Sequence, residues 1–265
     1  MRSFFDLTAR RYLIIQVLNR QIRRRYRGSI LGLLSSLITP LAMLLVYTFV
    51  FGIIFQGRFG ITQNETRIDF ALTLFCGLIL FTFFSDVISQ SPKLILEQPN
   101  LVKKVIFPLE VLPVVKTLDE LLHCLIAFIP LIIAVAISHR AFPWSFCYLP
   151  LFLFPLALLA VGGSLILSSL GVFVRDIQQL IMPLITIVMY GSAVFYPLSI
   201  IPPPFRQIMQ LNPLATLLDE ARKTIIWGIH PDFTSLAIVS VSAFLFVCLA
   251  SWFFEKSKPA FADVI

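Results

Sequence analysis

The run Arg23-Arg24-Arg25-Tyr26-Arg27 is followed directly by thirty residues, Gly28 to Gly57, that carry no charge. At about 1.5 Å of rise per helical residue, such a stretch is long enough to cross a hydrocarbon core of roughly 30 Å. Arginines abutting an apolar span prefer the cytoplasmic side of a membrane, so the junction constrains both the solvent and the orientation of the chain.

Composition extends the reading. The 265 residues are 58% hydrophobic and 13% charged, whereas a soluble domain carries about a quarter charged residues. Mean hydropathy is +0.91. The charges fall in short patches between long uncharged runs, as in a polytopic membrane protein. Most of the net charge of +7 lies in the first 27 residues, beside a span. It reads as a topology signal and a lipid-headgroup contact, not as a nucleic-acid surface. No cleavable signal peptide is expected, because Asp6, Arg10, Arg11 and Arg20 interrupt any apolar core before Arg27. Cys76, Cys124, Cys147 and Cys248 are scattered singly and read as small apolar residues.

The expected fold is an all-α membrane protein with six transmembrane helices. The first lies within Gly28–Gly57, the second from about Phe70 towards Asp86, and the third from about Val111 to Ser138. The fourth falls within Ala141–Val174, the fifth within Ile177–Ile201 and the sixth within Phe233–Phe254. Pro143, Pro150 and Pro155 place the start of the fourth window at the interface, and Pro202-Pro203-Pro204 stops the fifth span. With both termini inside, cytoplasmic segments hold fifteen lysines and arginines and outer segments six, an N-in, C-in asymmetry.

Residues 1–27 form an amphipathic cytoplasmic interface helix, and residues 28–265 a single six-span domain. Between Phe4 and Tyr26, Leu7, Ile14, Leu18, Ile22 and Tyr26 share one side, with Arg20, Arg23, Arg24 and Arg27 opposite. Arg11 and Arg25 fall near the apolar side, where their stems are expected to snorkel. An outer segment of about 202–232 reads as two short re-entrant or gate helices, Phe205–Leu211 and Leu214–Trp227, broken at Asn212-Pro213.

Motifs for chemistry are few. No glycine is followed by Lys and then Ser or Thr, so the chain lacks a phosphate-binding Walker loop. His123, His139 and His230 offer no zinc-type spacing. Asp86 and the cluster Lys116, Asp119, Glu120 and His123 are the charged groups at or inside spans. Such groups usually mark a pathway or a paired interface. The i,i+3 and i,i+4 spacing favours a local ion pair near the headgroup level over catalytic carboxylates. Twenty-six phenylalanines lift an aromatic-lined sugar passage only slightly, since most meet lipid or other helices.

Four stretches in order carry a resemblance. They are Arg25-Tyr26-Arg27-Gly28-Ser29-Ile30-Leu31-Gly32; Asn100-Leu101-Val102-Lys103-Lys104-Val105-Ile106-Phe107-Pro108 onward to Pro113; Phe173-Val174-Arg175-Asp176-Ile177; and Tyr196-Pro197 through Ile201-Pro202 to Asn212-Pro213-Leu214, with Arg222 beyond. On a six-span chain of this length the set resembles the membrane subunit of ABC-2 type exporters of O-antigen, capsular polysaccharide and teichoic acid. Ser35 departs from the family, which commonly has tryptophan there and with it an interfacial indole anchor.

The resemblance implies a permease, not an enzyme, that moves a lipid-linked polysaccharide across the bacterial inner membrane. Two copies form the channel, and two cytoplasmic ATP-binding cassette subunits bind ATP and Mg and hydrolyse it. No cofactor belongs to this chain. Tyr47, Phe51, Tyr190 and Phe195 are candidates to stack on sugars in the substrate path. Arg23, Arg24, Arg25 and Arg27 would meet the lipid phosphate at the cytoplasmic entrance. Asn100, Lys103, Lys104 and Phe107 would couple to the ATPase, and Pro202, Asn212, Pro213 and Arg222 belong to the outer gate. Other readings are an ABC exporter of another lipid or small molecule, a stand-alone secondary transporter, and a membrane-embedded enzyme that uses Asp119 or Glu120 on lipid-linked sugars.

Overall fold

The computed structural model describes residues 11–26, 35–54, 66–103, 107–140, 144–198 and 201–264, which are helical with no strand among them. Helix α1 (Arg11–Tyr26) precedes α2 (Ser35–Tyr47), which Pro40 interrupts and which widens into a π-helical turn over Thr48–Ile54. Next come α3 (Arg67–Gln90), the short α4 (Pro99–Lys103) and α5 (Val111–His139). A 3₁₀ turn at Trp144–Tyr148 leads into α6 (Leu149–Phe173), followed by α7 (Ile177–Gly191). After α8 (Pro203–Gln210) and α9 (Pro213–Trp227), α10 (Phe233–Ser257) runs through a 3₁₀ turn into α11 (Phe261–Val264).

Among the described residues, four helical stretches are long and apolar enough to cross a bilayer: Ile68–Lys93, Val111–His139, Trp144–Phe173 and Phe233–Val264. They answer to the second, third, fourth and sixth expected spans. The first and fifth correspond to shorter apolar helices, Leu37–Val50 and Ile177–Gly191. Proline residues inside α2, α5, α6 and α7 remove a ladder bond each, which neighbouring helices tolerate in an apolar bundle.

α3 is the centre of the bundle. Its run Phe70–Phe81 is buried without interruption, because apolar residues cover the helix all round and α5, α6, α7, α9 and α2 surround it. A capping box starts α3: Asp69 N donates to Thr66 Oγ1 at 3.2 Å, and Thr66 N donates to Asp69 Oδ2 at 3.0 Å. α6 packs closely on α3 and α10 through small residues, as helices do where apolar solvent gives no driving force of its own. A Cβ on Gly163 would lie 2.6 Å from Ile88, and one on Gly162 would lie 2.6 Å from Phe246. Ser91 Oγ donates to Ser164 Oγ at 2.7 Å across the α3–α6 seam.

One sequence expectation needs correction. Helix α7, which answers to the expected fifth span, ends at Gly191, well before Pro202. Side chains from α9 and its cap take up the carbonyls there, and Ala193 adopts a left-handed conformation (φ 52°). The helix is therefore stopped by tertiary hydrogen bonds, and the prolines begin α8 instead. The expected i,i+4 ion pair of α5 is present, and its residues Lys116 and Glu120 are buried together with Asp119.

Candidate functional site

At the arginine-rich end of the bundle, α5 sets Lys116, Asp119, Glu120 and His123 at helical spacing on one side. Lys116 Nζ lies 2.5 Å from Glu120 Oε1. From α1, Arg25 Nη1 donates to the same Oε1 at 2.9 Å and to Asp119 Oδ2 at 3.3 Å, and Gln21 Nε2 reaches Asp119 Oδ2 at 3.4 Å. His123 Nδ1 meets the carbonyl of Asp119 at 2.7 Å. Arg25 thus turns its guanidinium toward α5 and ties α1 to it. Arg23 and Arg24 occupy the last turn of α1, and Arg27 lies outside the described residues.

Removing one partner of a buried ion pair leaves an uncompensated charge, which costs about 3–5 kcal/mol. Lys116→Met is therefore expected to lower thermal stability in detergent more than Arg25→Met, since Arg25 is 42% exposed and Lys116 only 3%. Adding Glu120→Leu to Lys116→Met should restore part of the loss, because the second change removes a buried carboxylate that the half-exposed Arg25 alone would then hold. Equal melting temperatures for the two single variants would contradict this account.

The same end carries the segment between α3 and α5. Ile95, Leu109 and Leu112 form a second apolar cluster with Leu165, Val172, Phe254 and Phe261, and Leu101, Val102 and Phe107 pack on it. Phe261 of α11 meets Phe254 edge-on, ring centres 5.6 Å apart. Lys258 Nζ lies 2.8 Å from Glu110 Oε1. The C-terminal hook therefore buttresses the segment from beneath. Asn100 and Lys103 of α4 are exposed; Lys104 lies outside the described residues.

At the opposite end, Asn212 caps α9: its Oδ1 accepts from Leu214 N at 3.0 Å, and Pro213 takes the first helical position. Asn212 Nδ2 donates to Gly191 O at 3.1 Å and to Ser192 Oγ at 3.0 Å. Arg222, fully buried in α9, donates to Ala193 O at 2.9 Å and to Val194 O. Gly77 of α3 makes room for it, since a Cβ there would lie 2.5 Å from the Arg222 Cζ. Burial draws the guanidinium down to about 10, which leaves it charged at neutral pH. Pro202 caps the exposed helix α8, where Phe205 and Ile208 lie open.

The four aromatic candidates are not brought together. Tyr47 lines a cavity between α2, α3 and α5. Tyr190 is exposed on α7, its ring centre 6.1 Å from that of Phe195, and Tyr196 donates its hydroxyl to the carbonyl of Tyr190. Phe51 lies in the π-helical turn, its side chain outside the described residues. α2 with its π-helical turn and α7 both present open apolar faces, Leu41, Leu45 and Phe49 on one and Leu184 and Ile187 on the other. No three metal-ligating side chains gather among the described residues.

Sequence reasoning missed Arg25 as the partner of Glu120, Lys258 as the partner of Glu110, and Gly77 as the seat of Arg222. Lys116 and Glu120 are legible from i,i+4 spacing, whereas the other pairings span large sequence separations and leave no local signal.

Residues 12–226 match the family model described as ABC-2 type transporter. The chain is 26% identical over 258 residues to the O-antigen export system permease protein RfbA of Klebsiella pneumoniae, covering 96% of this chain and 95% of that one. It is 26% identical over 268 residues to the protein of the same name from Myxococcus xanthus, covering both in full. Similarity to the polysialic acid transport protein KpsM of Escherichia coli is 26% over 235 residues, covering 87% of this chain and 88% of that one.

Proposed function

Because the chain belongs to the ABC-2 type transporter family, and is thereby a multi-pass membrane transport subunit, we propose that it is the permease of an exporter for a lipid-linked surface polysaccharide. The observation that carries the reading is the end-to-end likeness to two O-antigen export permeases, joined by a polysialic acid transport protein. In this reading α2 and α7 complete a six-span, N-in, C-in domain over residues 28–265, and residues 1–27 lie on the cytoplasmic face of the inner membrane. The open faces of α2 and α7 meet a second copy and line the conduit between them. Tyr190 and Phe195 stand at its outer end, and α8 and α9 sit over the exit.

Transport needs energy that this chain has no Walker loop to supply, so a cytoplasmic ATP-binding cassette subunit binds ATP and Mg. Asn100 and Lys103, held out on α4 by the buried cluster beneath, are the contact surface for it. Depleting the chain in its own host should remove polysaccharide from the cell surface and leave lipid-linked polymer in the cytoplasm, read by surface antibody and by lipid extraction. Surface polymer at wild-type level after depletion would overturn the proposal.

A further inference from the structure

The cavity between α2, α3 and α5 has a volume of about 440 Å³, within the range of small-ligand sites. Its walls run along the helices. On α3 they extend from Phe75 through Leu78 and Thr82 to Asp86, eleven residues or about 16 Å. The charged groups of the lining, Arg25, Asp86, Glu120 and His123, stand at the arginine-rich end. The wall beyond them is mostly apolar, with Met43, Phe75, Leu78 and Ala127, and carries the hydroxyls of Thr39, Tyr47 and Thr82. A slot with an ionic mouth at one end of a membrane bundle and an apolar depth towards its middle has the shape of a lipid.

Charge at the mouth selects the headgroup. Lys116 and Arg25 are both bound to Glu120, and Arg25 also to Asp119. The Asp86 carboxylate has no hydrogen-bond or ion-pair partner among the described residues; only its backbone carbonyl accepts, from Ser89 Oγ. The lining itself holds two carboxylates, Asp86 and Glu120, against one permanent cation, Arg25, which disfavours a pyrophosphate and favours an amine. We infer that this slot holds one aminophospholipid, its ammonium on Asp86 and one acyl chain along α3 between α2 and α5. The inference takes from the proposed function only that the bundle sits in a bilayer. As α2 forms one wall, the bound lipid also sets how closely the first span approaches the second and third.

The test uses the full chain in nanodiscs of equimolar phosphatidylethanolamine and phosphatidylglycerol, released into mild detergent and weighed by native mass spectrometry. One phosphatidylethanolamine per chain should be retained in preference to phosphatidylglycerol. Asp86→Asn should lower that retention about tenfold, the loss of one charge-assisted hydrogen bond, and Asp86→Glu should keep it. Equal retention of the two lipids, or wild-type retention by Asp86→Asn, overturns the site. If Asp86→Asn does not run as a folded species, Thr82→Trp closes the slot without altering its charge, and undiminished retention there overturns it equally. The readout needs no transport, so it stands or falls apart from polysaccharide export.

Discussion

Arg222→Met is expected to abolish export and to lower stability by about 3 kcal/mol, since two buried carbonyls lose their donor at roughly 1–3 kcal/mol each. The acceptors are those of Ala193 and Val194, 2% and 0% exposed. They belong to the turn that ends α7, so the loss falls on the C-terminal end of that helix. Arg222→Lys should rescue little, because a single ammonium does not reproduce the planar fork that serves two acceptors. Gly77→Ala should resemble Arg222→Met, as the added methyl occupies the place of the guanidinium. The two changes together should be far less than additive, since both break one interaction. Arg206→Met on the exposed helix α8 is the control. Thermal unfolding of purified protein and surface polysaccharide are the readouts, and an Arg222→Met protein that matches Arg206→Met in both would refute the clamp.

Gly171→Ala should be almost as damaging. A Cβ there would fall on the carbonyl oxygen of Pro92 and 2.8 Å from its Cα, backbone atoms of the tight turn that ends α3. Neither the turn nor α6 gives way as a side chain would, and overpacking of this kind costs about 1–3 kcal/mol or more. The expected result is a loss of folded protein in the membrane, measured as the monodisperse fraction in size-exclusion chromatography. Gly191→Ala, with nothing within 4 Å of the added atom, should behave as wild type. Similar yields for the two alanine variants would show that the α3–α6 seam is looser than its geometry implies.

These two positions also mark where sequence reading ends. Gly171 is one of eleven glycines, and nothing in its neighbours tells that the backbone of Pro92 lies against it. Arg222 follows the Asn212-Pro213 turn in a segment legible as two short helices, and α8 and α9 are where composition places them. That the arginine is buried, and that it stops α7 at Gly191, depends on α3 offering Gly77 opposite. The same holds at the other end. Lys116 and Glu120 are an i,i+4 pair on any helix, but their burial and their third member, Arg25, arise only once α1 lies against α5.

The sequence by itself determined the solvent, the all-helical class, the positions of the long apolar helices and the family. The first three follow from hydrophobic length, charge spacing and local turn chemistry, which act over a few residues or turns; the family follows from four ordered stretches of sequence. Only the tertiary structure decided which charges meet, where α7 ends and that a cavity opens beside Asp86. Those depend on directional contacts between residues far apart in the chain, and such contacts leave no periodic trace along it.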